Sequence, residues 1–181
     1  MSHFPSWMLQ SAYDYLKAAE LLDSQGLSHV AMVNAAIGME ILLKSFISIP
    51  DQHQGTSGET YTLDDHALKA AHKHLQSIGK TRLNKRCDGH DLLTLFHAVP
   101  PAIRQSLALD SQERWFERYR DVFTNSRYQY ESGSWTFSDP VLMGLLRWML
   151  ANVVGYYSER GSQDPFVLGY IAEVQCQAEA H

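Results

Sequence analysis

Two charged residues on an apolar background are the first candidates for chemistry. Glu40 and Lys44 stand four residues apart in 28–49, a stretch otherwise dominated by Val, Ile, Leu, Met and Ala. On a helix they are i,i+4 neighbours in the favourable order, acid first. Further along come His90-Asp91, at the head of an apolar segment, and Arg127-Tyr128-Gln129-Tyr130-Glu131. A histidine moves protons near neutral pH, and an arginine clamps phosphate or carboxylate. Glu40, Lys44, His90, Asp91, Arg127, Tyr128, Tyr130 and Glu131 therefore form one candidate set. The set reads either as a binding or catalytic site or as an internal ion network that fixes helix register, because buried charge is costly unless paired. In the network reading Glu40 pairs with Lys44, and Asp91 or Glu131 with Arg127.

A second candidate is basic. Lys69, Lys73, Lys80, Arg82, Lys85 and Arg86 follow one another with no acid between Asp65 and Asp88. Such a run suits a phosphate backbone; its plainer reading is a solvated face. No aromatic residue interleaves it, as single-strand binding would favour. Metal chemistry has little support. His66, His72 and His74 share a helix, but 72 and 74 point apart, and 66 and 74 are two turns from each other; the bland reading is exposed histidines. Neither HExxH nor ExxH occurs. Cys87 and Cys176 form no CxxC and read as free thiols in a reducing cytosol. No GxSxG, GxGxxG or Walker loop is present. No metal or cofactor is expected.

The elements that must position these residues read as helices. Residues 1–181 are expected to form a single domain, with a core over about 6–159 and an accessory helix in 160–181. Pro5 and Ser6 start a first helix with the stripe Met8, Ala12, Tyr15, Ala19 and Leu22, ended by Gly26. The second helix, 28–49, is apolar on most of its circumference, belongs inside a bundle, and is stopped by Pro50. Residues 51–61, with Gly55 and Gly58, read as exposed loop. Thr62 and Asp65 resemble a capping box for a helix over about 63–78, ended by Gly79. Asp91-Leu92 leads into a helix broken by Pro100, with Pro101 starting a short one. Asp110 and Glu113 mark another start, with Trp115, Tyr119, Val122 and Phe123 as its apolar face; 132–138 is loop. Asp139-Pro140 begins a helix to about Glu159, and 165–179 is a shorter terminal one. No period-two strand stands out. The fold class is all-α: an antiparallel up-down bundle of four main helices with short accessory helices. The net charge of −5 argues against a general polyanion binder but leaves room for a local basic face. Residues 1–6 lack the regions of a signal peptide, and 141–157 is short for a bilayer and carries Arg147. A cytoplasmic protein without membrane association is expected.

The order of these segments resembles the HEPN superfamily, the higher-eukaryote and prokaryote nucleotide-binding domains. The resemblance rests on SAYDYLKAAELL, then AAIGMEILLKSF with Glu40 and Lys44, then GHDLLTLF with His90 and Asp91, then RYQYE with Arg127. It spans roughly residues 11–157. It implies an α-helical up-down bundle, commonly a homodimer. It also implies a place in toxin–antitoxin, defence or RNA-processing systems, with a nucleotide, RNA or a protein such as a nucleotidyltransferase as partner. Many catalytic members carry Arg-x4-6-His and cleave RNA without metal across the dimer. This chain departs from that motif. Glu131 is the fourth residue after Arg127, followed by Ser132 and Gly133, and a carboxylate there repels phosphate. Only three residues separate Arg86 from His90.

Three functions follow. The first is a non-canonical HEPN-like domain that binds a nucleotide, RNA or protein partner, with Lys44 and Arg127 holding an anion that His90 and Tyr130 orient. The second is a metal-independent RNA endonuclease with a rearranged site, His90 acting as acid or base and Arg127 stabilising the phosphorane. The third is a structural dimerisation module whose seam is 141–157.

Overall fold

The computed structural model describes residues 6–51, 60–123 and 139–179. Eight helices and one two-stranded ribbon account for the regular structure among them: α1 (Ser6–Ser24), α2 (Ser28–Ser45), β1 (Ser48–Pro50), β2 (Tyr61–Leu63), α3 (Asp65–Ser77), α4 (Leu92–Ala98), α5 (Pro101–Ser106), α6 (Glu113–Arg118), α7 (Pro140–Ser158) and α8 (Pro165–Glu179). A 3-10 turn, Leu109–Gln112, leads into α6. The chain is mostly helical, as its periodicity implies.

The core is built around α2. Nearly every face of this helix is covered, with Ala35, Ala36, Met39, Leu42 and Leu43 fully buried. It packs against α1, α7 and α4. Gly26, at φ 76°, takes the left-handed conformation that lets α1 stop and α2 return. Gly38 of α2 lies against both α1 and α7. A Cβ there would stand 2.7 Å from Leu146 Cδ2 of α7, 3.1 Å from the Ala12 carbonyl and 3.2 Å from Tyr15 Cβ. The pairing of residue 38 with residues 12 and 15 across a turn at 26 is an antiparallel register. The buried stripe of α1 is Leu9, Ala12, Leu16 and Ala19. Met8, Tyr15 and Leu22, expected in it, are half-buried at its edge.

Other sequence expectations also change. Pro50 does not end α2, which finishes at Ser45. The chain instead forms β1, which pairs antiparallel with β2 through Ser48–Leu63, Ile49–Thr62 and Pro50–Tyr61. Proline, lacking an N–H, is tolerated in such an edge strand. Thr62 consequently lies in a strand and caps nothing. The α3 cap is Asp64, whose carboxylate accepts from the His66 and Ala67 N–H groups at 2.9 and 3.0 Å, a contribution of about 1 kcal/mol. Gly55 and Gly58 lie outside the described residues.

Around this centre, α3 lays Leu68, Ala71 and Leu75 against α4. Phe96 of α4 stacks on Phe116 of α6 at 4.7 Å between centroids. Asp139 caps α7 by accepting from the Val141 N–H at 3.0 Å, and Pro140 occupies the first turn, where its missing N–H costs nothing. The Tyr119 hydroxyl also donates to Asp139, at 2.6 Å. α8 packs on α7 and α1, with Tyr13 edge-on to Phe166 and Tyr170. No helix among the described residues is long and apolar enough to cross a membrane.

The glycines separate packing from propensity. Gly38→Val drives a branched side chain into backbone and should lower the unfolding free energy by about 2–3 kcal/mol. A Cβ at Gly155 meets nothing within 4 Å. Gly155→Ala should therefore raise stability by about 0.5–1 kcal/mol. Urea unfolding of both variants checks the pair.

Candidate functional site

The segment 88–91, between α3 and α4, joins the four residues of the first candidate set that lie among the described residues, Glu40, Lys44, His90 and Asp91. The Asp88 carboxylate accepts from the His90 N–H at 2.9 Å and shapes the turn. Beyond it, His90 faces one way and Asp91 the other.

On the His90 side stand Glu40 and Lys44 of α2. Glu40 Oε1 accepts from Lys44 Nζ at 2.5 Å and lies 2.9 Å from His90 Nδ1. A carboxylate accepts only, so His90 carries its proton on Nδ1 and turns Nε2 away from Glu40. The imidazole is half-exposed and stacks on the Phe123 ring at 5.1 Å. Glu40 is buried, and its Oε2 has no hydrogen-bond partner among the described residues. This is the geometry of an oriented histidine, one ring nitrogen held by a carboxylate.

On the other side, Asp91 is only 2% exposed. Its Oδ1 accepts from the Leu93 and Thr94 N–H groups at 3.0 and 3.3 Å and caps α4. Its Oδ2 accepts from Arg120 Nη2 at 2.5 Å. Arg120 also donates to the Lys80 carbonyl at 2.7 Å and to Thr81 Oγ1 at 2.9 Å. Among the described residues the ion-pair partner of Asp91 is Arg120; the sequence suggests Arg127. Arg127, Tyr128, Tyr130 and Glu131 lie outside the described residues. The sequence offered no distinct signal for Arg120, which stands with Asp121 between Tyr119 and Val122, both fully buried.

Beside Arg120 opens a groove of about 470 Å³ lined by Lys80, Thr81, Arg82, Asn84, Lys85, Arg120 and Asp121. The basic run thus forms part of a concave surface, but it does not lack counter-acids. Lys80 bridges Glu113 and Glu117 at 2.8 and 2.7 Å. These contacts raise its pKa, the Glu113 bond first, and the Lys80 bond in turn holds Glu113 below the usual carboxylate range. Lys85 lies 3.6 Å from Asp121, and Lys69 pairs with Asp65 at 3.2 Å. Lys73, Arg82 and Arg86 are exposed and make no ion pair among the described residues. The expectation of exposed histidines fails at His72, which is buried with Nε2 2.9 Å from the Lys85 carbonyl.

A third polar group has no counterpart among the sequence expectations. His97 Nε2 lies 3.3 Å from Glu113 Oε1, and Arg104 Nη1 lies 3.3 Å from His97 Nδ1. Burial pushes the His97 pKa down and outweighs the opposing charge of Glu113. Cys87 and Cys176 are free and exposed. Among the described residues no three His, Cys, Asp or Glu side chains gather to hold a metal ion. Comparison of the chain with family models, curated proteins and solved structures finds no match.

Two stability outcomes follow. Asp91→Ala removes a cap and strands a largely buried guanidinium, which should cost about 3–5 kcal/mol in chemical denaturation; Asp91→Asn, which keeps the capping oxygen, should cost less. His97 binds its proton less readily folded than unfolded. The stability this confers is full above the ordinary histidine value of about 6.5 and is lost as pH falls from there through the lowered folded value. Unfolding curves between about pH 7.5 and pH 5 should show this decline, and His97→Gln should flatten it.

Proposed function

We propose that the chain is a HEPN-like up-down helical domain that binds a phosphate-bearing ligand, a nucleotide or RNA, in the groove beside the 88–92 segment, without the usual Arg-x4-6-His chemistry. The observation that carries this reading is the groove itself. Four cations and one carboxylate, Asp121, line it, and Arg120, bonded to a buried carboxylate and two loop oxygens, fixes the loop at 80–81 before any ligand arrives. Arg82, exposed and without an ion pair among the described residues, adds charge at the rim. The antiparallel α1–α2 pair with α7 against both is consistent with the bundle that the resemblance implies. A cytoplasmic setting among RNA-processing or defence proteins belongs to the same reading.

A second reading has its own support. Glu40 holds a half-exposed His90 at Nδ1, and an oriented imidazole is what metal-independent RNA cleavage asks of a general base. In that case Arg127 or another cation would stabilise the phosphorane.

Isothermal titration with mononucleotides and short single-stranded RNA tests the binding reading. Arg82→Ala with Lys85→Ala should weaken RNA binding by more than about tenfold. The slope of log affinity against log salt should flatten by about 0.7 for each phosphate left without its cation. A folded wild type that takes up none of these ligands removes the proposal. For the enzyme reading, RNA cleavage by wild type should exceed that by His90→Ala; equal rates would sink it.

A further inference from the structure

Arg82, Asn84 and Lys85 of the turn 82–85 line the groove, with Leu83 beside them, and the turn is closed by the Lys85 N–H donating to the Arg82 carbonyl at 3.0 Å. Two side chains of α3 reach into this turn from behind. Gln76 Nε2 donates to the Arg82 carbonyl at 3.3 Å and to the Leu83 carbonyl at 3.0 Å. His72 Nε2 lies 2.9 Å from the Lys85 carbonyl, a bond that places its proton on Nε2. The two amide hydrogens of Gln76 are then both spent on the turn, and its 3.1 Å approach to His72 Nε2 is a contact between donors. From the front, Arg120 holds the Lys80 carbonyl and the Thr81 hydroxyl.

This arrangement has a consequence for the N–H groups. No cis peptide occurs, and in a trans peptide the carbonyl and the following N–H point in opposite directions. With the Arg82 and Leu83 carbonyls drawn toward Gln76, the Leu83 and Asn84 N–H groups are directed away from it. Neither has an acceptor among the described residues. Two successive N–H groups presented together, flanked by cationic side chains, make a concavity for an anion. The Leu83 side chain is 83% exposed, so the turn is not held by burying it. What holds the turn is the pair of α3 side chains.

We infer that the 82–85 turn is a seat for one phosphate group, held by the Leu83 and Asn84 N–H groups together with the side chain of Arg82. His72 and Gln76 are positioning residues that set the turn in its anion-accepting form. This rests on the reading of the groove as a phosphate site and specifies where and how the phosphate is held. The seat recognises the phosphate and not the molecule that carries it, so free phosphate, a mononucleotide and an RNA chain are separate arms of the test.

Leu83→Pro isolates the seat. Proline is favoured at this second position of a β-turn, the replaced side chain is exposed, and what disappears is one N–H. The full-length wild type, Leu83→Pro, Leu83→Ala and Gln76→Leu are titrated with inorganic phosphate, adenosine monophosphate and a five-nucleotide single-stranded RNA. Melting temperatures are recorded beside the affinities, and amide shifts are followed by nitrogen-15 NMR. In the wild type the Leu83 and Asn84 amides should shift with whichever probe binds. Leu83→Pro and Gln76→Leu should weaken binding about tenfold, the scale of one charge-assisted hydrogen bond. Leu83→Ala should bind as wild type, and Leu83→Pro should melt as wild type. Binding to wild type with unmoved Leu83 and Asn84 amides, or with full affinity retained by a folded Leu83→Pro, overturns the seat and leaves the groove reading standing. Absence of binding by all three probes to the folded wild type overturns both.

Discussion

A single buried carboxylate, Asp91, constrains the side of the molecule where the groove lies. A charge with 2% exposure survives only if its lone pairs are satisfied. Asp91 divides them: one oxygen takes the first N–H groups of α4, the other takes Arg120. Arg120 in turn carries the loop at Lys80 and Thr81, and its own carbonyl accepts from the Leu92 N–H at 3.0 Å. The start of α4, the segment after α6 and the rim of the groove are thus joined through one carboxylate. None of the three can shift without exposing an unpaired charge or an uncapped helix.

The same device recurs. Glu40 sits between Lys44 and His90, Glu113 between Lys80 and His97, and Asp139 between the Tyr119 hydroxyl, Arg118 and the end of α7. Burial works against the charge of Asp139, yet these three partners outweigh it and hold its pKa below the usual range. In each case an acid on or beside a helix accepts from two elements at once. Apolar packing has no directional preference, so it leaves helices free to slide or rotate in small steps. These shared carboxylates specify one arrangement, and they do so around a helix, α2, with little polar surface of its own.

Helix punctuation is legible from residue types. Gly26, Gly79 and Gly161 all adopt positive φ at helix ends. Asp139-Pro140, Pro101 and Pro165 open helices where expected. These signals are local: a cap, a missing N–H or a left-handed residue acts within one turn of chain. Local signals fail where a short range leaves the choice open. The ribbon has three residues in each strand, too few for alternation to show, and its pairing partner lies across a long connection. Met8, Tyr15 and Leu22 fall at the edge of the α1 stripe because helical spacing alone does not say which of two adjacent faces the neighbour covers. Gly38 resolves that by admitting α1 backbone close to α2.

The site is legible only in part, for a related reason. Glu40 and Lys44 are four residues apart on one helix, so their pairing follows from residue order. His90 reaches Glu40 across 50 residues and Lys80 reaches Glu113 across 33. The basic run therefore reads as free of acids although its counter-charges come from another element. Arg120 reads as one more charge beside Asp121 although it is the partner that Asp91 takes. The order of residue types settles that the chain is mostly helical, where several helices begin and which side chains must find partners. The identity of those partners comes from the packing of distant segments, because burial demands that a charge be neutralised without saying from which direction along the chain.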